Sequence, residues 1–261
     1  VNRGGSAQFQ VVKLTPVVKN LIIANVAIWL VAQLILDKML LSSPYISHFF
    51  SLNPSLFVEN FMVWQPLTYM FLHSSNIFHI LFNMISLWFF GSDLETRWGG
   101  RPFLIYYLVS GAGAALIYLA GVILVGLIQG TEPSVFRVPV IGASGAVFGV
   151  LVAFAILFGE RVIYFFGVFP MKAKFFIMIM AGIEIVTLLN EGMASNPVAN
   201  LAHIGGMIAG FLYLVVWTKY LQSRWRKGSK AHKAKARAGR NLRLVVNNKD
   251  KEDPDDPKYW N

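Results

Sequence analysis

Four side chains suited to acyl transfer stand in stretches that are otherwise apolar. Ser144 lies in Gly142-Ala143-Ser144-Gly145 at the head of the run 141–158, and His203 lies in Ala202-His203-Ile204-Gly205-Gly206 within the run 198–217. His79 and Asn83 share the run 76–92. Attack on an acyl carbon needs a nucleophile, a base, and donors for the oxyanion that develops. Ser144, His203 and the pair His79 and Asn83 supply one candidate set. A membrane Ser taken alone is usually a packing residue bonded to a carbonyl one turn back. Intramembrane ionisable groups, by contrast, are rare and point to function.

The elements that must hold these groups are membrane helices. Hydrophobic residues make up 56% of the 261 residues against 14% charged, a balance that excludes an ordinary soluble domain. Apolar runs at about 21–36, 76–92, 102–128, 141–158, 173–189 and 198–217 predict six spans. The piece Val162 to Phe169 is too short to cross and ends at Pro170, so it is expected to be interfacial or re-entrant. The expected organisation is a short segment 1–20, a six-span domain 21–217 and a tail 218–261. No cleavable signal pattern precedes the first span, which is expected to remain as an anchor. Cysteine is absent, which excludes disulfides and thiolate metal sites. No metal or other cofactor is expected.

With the N-terminus inside, the outer segments 37–75, 129–140 and 190–197 hold only Lys38 and Arg137 of the 23 Lys and Arg. Arg97, Arg101, Arg161, Lys172 and Lys174 all fall on inner loops. Both termini are therefore expected inside, with a bacterial cytoplasmic membrane as the expected location. This orientation puts His79, Ser144 and His203 at similar shallow depth near the outer face, although charge counting took no account of them.

Two stripes of small residues bear on approach. Gly145, Gly149 and Ala153 repeat every four residues in span four, as do Ala202, Gly206 and Gly210 in span six. Such stripes let membrane helices come close, which would bring Ser144 within reach of His203. His79 and Asn83, four apart, share one helix face. The aromatic outer segment 37–75, broken by Pro44, Pro54 and Pro66, suits partial immersion at the interface. Glu95-Thr96-Arg97 is assigned to structure. Glu184, midway along span five and far in sequence from Ser144, is left out of the site. Residues 219–249 hold eleven Lys or Arg and no acid, before an acidic end with Asp250, Glu252, Asp253, Asp255 and Asp256. A basic tract joined to the last span is expected to bind anionic lipid headgroups rather than nucleic acid.

The chain resembles the rhomboid family of intramembrane serine proteases. The residues that carry the resemblance are Gly142-Ala143-Ser144-Gly145 for GxSG, Ala202-His203 through Gly206 to Gly210 for AHxxGxxxG, His79 through Asn83 for HxxxN, and Glu95-Thr96-Arg97 for ExR. It implies an all-α, six-helix rhomboid-like bundle with Ser144 as nucleophile and His203 as base, a dyad without an acidic third member. It also implies an oxyanion hole from the Ser144 N–H, His79 and Asn83, and single-span transmembrane proteins as substrates. Where many members carry Tyr stacked on the base, this chain has Phe148. An inactive relative that binds membrane clients, or a transporter, are the alternatives. The retained Ser and His oppose the first, and the clustering of polar residues at one depth opposes the second. The segment Asn190 to Asn200 has the small, Asn-rich composition of a mobile cap, and with span five it is expected to move to admit a helix sideways.

Overall fold

The computed structural model describes residues 13–130, 134–165, 169–191 and 198–240, the side chains of 134, 135, 165, 191, 198 and 225–240 excepted. Most of the cap 190–200, the acidic end and most of the basic tract's side chains lie outside the described residues. The chain forms two units, 1–215 and 216–261. The first contains all the candidate site residues.

Helix α1 (Pro16–Ile28) continues in wider π-type turns over Trp29–Leu40, so the first span runs on past residue 36. Asp37, expected to open the outer segment, instead lies within the span and is buried. Its carboxylate accepts from the backbone N–H of Ile46 and Ser47, both at 2.8 Å, capping α2 (Tyr45–Phe50). Between the first two spans come α3 (Pro54–Glu59) and α4 (Gln65–Thr68). Asn53 caps α3 by accepting from Ser55 N–H and Leu56 N–H, with Pro54 at the first helical position.

The second span is α5 (Ile77–Ser86), wider turns over Leu87–Gly91, and α6 (Ser92–Trp98). Gly99, with φ +86°, ends it and lets α7 (Gly100–Gln129) start at once. The carboxylate of Glu95 accepts from Thr15 Oγ1 at 2.5 Å and from the N–H groups of Val17 and Val18 at 3.0 and 2.9 Å. It thus caps α1 from a distant part of the chain, which gives the structural assignment of the ExR turn its content.

Helix α8 (Ser144–Phe158) is succeeded by an antiparallel hairpin, β1 (Val162–Phe165) with β2 (Phe169–Lys172), then α9 (Ala173–Glu191) and α10 (Val198–Arg240). The hairpin replaces the re-entrant piece expected there, so the bundle carries one small sheet. Its two apolar strands satisfy each other's backbone in a ladder, as a lone strand in lipid could not. Among the described residues, five helical spans are long and apolar enough to cross a membrane, and α8 is a shorter apolar sixth.

Helix α7 runs through the centre, burying Phe103, Tyr106, Tyr107 and Tyr118. The small-residue stripes meet as their spacing predicts. A Cβ on Gly206 would lie 1.9 Å from the Gly145 carbonyl oxygen, and one on Gly210 would lie 3.0 Å from Gly149 Cα. Backbone therefore touches backbone where α8 crosses α10. Helix α9 is the most loosely held span: 11% of its apolar window is buried, against 44% in the second span.

Candidate active site

The site is built at the start of α8. Leu52 and Val140 exchange backbone hydrogen bonds, and Gly142 N–H donates to Tyr69 O at 3.0 Å, so the outer segment fixes the approach to the helix. Gly142 has φ +127°, a conformation open to glycine. A Cβ there would come 2.8 Å from His79 Nε2 and 3.5 Å from Ser144 Oγ, so glycine also keeps open the space between nucleophile and donor. Because the first intrahelical bond is Val147 N–H to Ala143 O, the Ser144 N–H has no acceptor one turn back and remains free for an oxyanion.

Ser144 Oγ lies 2.8 Å from His203 Nε2. Phe148 stacks on the His203 ring with centroids 4.4 Å apart and planes 21° off parallel. Gly145 and Gly206 set the close crossing that permits this, and Gly210 continues it beside Gly149.

His79 stands in the first turn of α5, whose Asn76 cap accepts from Phe78 N–H at 3.0 Å. Ser74 N–H donates to His79 Nδ1 at 3.2 Å. That assignment makes Nδ1 the acceptor, so a neutral ring carries its proton on Nε2, the atom facing Gly142 and Ser144. Asn83 is buried, and one N–H of its amide donates to His79 O at 2.8 Å, leaving a second for the cavity. A cavity of about 520 Å³ joins all four residues, with Phe82 on α5 and Met180 on α9 among its walls.

Two features escaped the sequence reading. His73, fully buried, meets His79 edge-on at 5.2 Å. Burial, with the neighbouring His79 second, lowers its pKa to about 3. The signal was a second imidazole six residues before His79.

The larger correction concerns Glu184. Its Oε2 lies 3.0 Å from His203 Nδ1, the ring nitrogen opposite the one facing Ser144. The separation is within ion-pair range, while the two atoms do not form a hydrogen bond. An acid is therefore beside the base, contrary to both the sequence reading and the two-residue pattern implied by the resemblance. Sequence distance was measured from the wrong partner: Glu184 is far from Ser144, but it is on the helix joined directly to that of His203. It stands seven residues before the end of α9, and His203 stands five residues after the start of α10, so the two fall at matching depth.

The Rhomboid domain family model matches residues 60–220. The chain belongs to the rhomboid family. It is 31% identical over 159 residues to "Rhomboid protease AarA" of Providencia stuartii, covering 59% of this chain and 56% of that protein. Against "Rhomboid protease GlpG" of Haemophilus influenzae it is 27% identical over 187 residues, covering 71% and 81%. Against "RHOMBOID-like protein 1" of Arabidopsis thaliana it is 32% identical over 163 residues, covering 62% and 36%. The chain spans about half or less of the length of several of these relatives. Family and apolar helices together make it a rhomboid-type, integral multi-pass membrane protein.

On the expectation that His79 and Asn83 donate to an oxyanion, and so act on the transition state, His79→Ala and Asn83→Ala should each lower kcat by about 10²- to 10³-fold with KM nearly unchanged. The Ser144 N–H persists in both, leaving measurable turnover. A variant whose steady-state kinetics show a raised KM alone would assign that residue to binding.

Proposed function

We propose that this rhomboid is an active intramembrane serine protease that hydrolyses a peptide bond in or near one end of a substrate's transmembrane helix. The observation that carries this reading is the 2.8 Å contact between Ser144 Oγ and His203 Nε2 at the head of a helix, facing a cavity shared with His79 and Asn83. His203 takes the Ser144 proton as Oγ attacks the scissile carbonyl, and it returns that proton to the leaving amine. The Ser144 N–H and the His79 and Asn83 side chains receive the oxyanion. Water then releases the acyl group by the same base. Relatives named as proteases favour this reading over an inactive client-binding one.

A fluorophosphonate should label the wild-type protein and not Ser144→Ala, and mass spectrometry should find new termini in a panel of single-span helices. Absence of both would favour the client-binding reading. Because a helical substrate hides its carbonyls, those cleaved should carry Gly, Pro or other weak helix formers near the cut.

The way in is proposed to lie between α5 and α9, where Phe82 and Met180 face the cavity and α9 is least packed. The absence of native cysteine makes a direct test clean. Cysteines at Phe82 and Met180, bridged by a bifunctional thiol reagent, should cut cleavage of a transmembrane substrate more than tenfold while sparing labelling of Ser144. Equal loss of both would mean a damaged site, and loss of neither would exclude this gate.

A further inference from the structure

We infer that Glu184 is a positioning residue for His203, one that holds the imidazole and balances the charge it acquires during peptide hydrolysis. The inference rests on the protease reading above. Glu184 Oε2 and Ser144 Oγ sit at opposite ring nitrogens of His203, at 3.0 and 2.8 Å, while Phe148 covers one ring face. With Nδ1 facing a carboxylate, the neutral ring keeps its proton there and leaves Nε2 free to accept from Ser144.

When Oγ bonds to the scissile carbonyl carbon, the carbonyl π pair moves onto oxygen and the Ser144 proton moves to Nε2. His203 is then an imidazolium next to a carboxylate, in surroundings where water screens little. The proton next passes to the amide nitrogen as the C–N bond breaks, and Glu184 itself gains and loses nothing. Glu184 and His203 lie close without a hydrogen bond, and catalytic hydrogen bonds often form fully only as charge develops. Besides His203, the titratable groups lining the cavity are His79 and Tyr69, neither of them an anion source: His79 is never anionic, and the Tyr69 hydroxyl donates to Gly111 O at 2.8 Å.

An acid in the middle of an apolar helix has one rival explanation, a neutral group that merely packs. The two predict opposite orders for conservative variants. Glu184→Gln keeps size and removes charge, whereas Glu184→Asp keeps charge and shortens the arm. A packing role, in lipid, tolerates Gln better than Asp.

The test uses the full-length protein in detergent or liposomes. It measures kcat and KM on a cleaved single-span helix, the rate of fluorophosphonate labelling, and melting temperature. Glu184→Gln should lower kcat by roughly ten- to a hundredfold with KM within about twofold and an unshifted melting temperature, and Glu184→Asp should retain more activity than Gln. An active wild type whose Gln variant equals or exceeds the Asp variant overturns the role of Glu184 alone. A wild type that neither cleaves nor labels overturns the protease reading, and this proposal with it.

Discussion

Under the proposed protease reading, Ser144→Ala and His203→Ala should each lower peptide cleavage by at least about ten-thousandfold, and the double variant should be scarcely worse than either single one. The expectation comes from the 2.8 Å contact that makes the two a single device: Ser144 without a base is a weak nucleophile, and a base without Ser144 has nothing to activate. Their losses therefore overlap instead of multiplying. New termini counted by mass spectrometry give the rates, and circular dichroism confirms that the helices persist. Substantial turnover in a folded single variant would mean that the dyad is misassigned, and multiplicative losses would mean that the two act in separate steps.

Gly206→Ala is expected to lower kcat by at least about a hundredfold, although the atoms nearest the added methyl group belong to Gly145 and not to a reacting side chain. That methyl carbon would sit 1.9 Å from the carbonyl oxygen of Gly145, and both are held by backbone. Ordinary carbon–oxygen contact begins near 3.3 Å, so α8 and α10 must part by roughly 1 Å or more. The contact broken is the one between Ser144 and His203, and a misplacement of about 1 Å commonly costs a hundredfold. Stability should also fall, by about 1–3 kcal/mol, as in other overpacked interiors. Gly182→Ala is the matched control, because a Cβ there meets nothing within 4 Å. Wild-type turnover in Gly206→Ala would show that the helices do not rely on this contact. A comparable defect in Gly182→Ala would show that the assay reports general damage.

What the sequence made legible was whatever has a period or a charge. Small residues every four positions foretold the α8–α10 crossing, and the four-residue step from His79 to Asn83 foretold a shared face. Apolar runs located six spans, with errors of a few residues at their ends. Asp37 was misplaced because a charged residue looks like the end of a span, whereas its carboxylate is consumed inside by the N–H groups of Ile46 and Ser47. The hairpin from Val162 to Lys172 was missed because a run of eight apolar residues has no helical or strand period strong enough to decide. Glu184 was missed for a different reason: its place midway along span five reads as a central depth, far from the other site residues, whereas its carboxylate lies 3.0 Å from His203 Nδ1. The role of His73 needs three-dimensional contact and has no sequence period.

Helix α8 has only fifteen residues, and at about 1.5 Å each they rise some 22 Å, against a hydrocarbon layer of about 30 Å. Its far end is anchored by charged pairs: Arg161 binds Asp93 at 2.5 Å, and Glu160 is bound by Lys172 and Lys174, all charges that belong at the headgroups. With those charges at the headgroups, a helix along the bilayer normal would leave the shortfall of about 8 Å at the Ser144 end. Helix length thus works as a ruler. Under the proposed protease reading it would set how deep in the slab a peptide bond must lie to meet the hydroxyl, about five residues down a straight helix. Bilayer thickness would then become part of the specificity, because a thicker membrane would sink the same peptide bond relative to a Ser144 tied to the opposite surface.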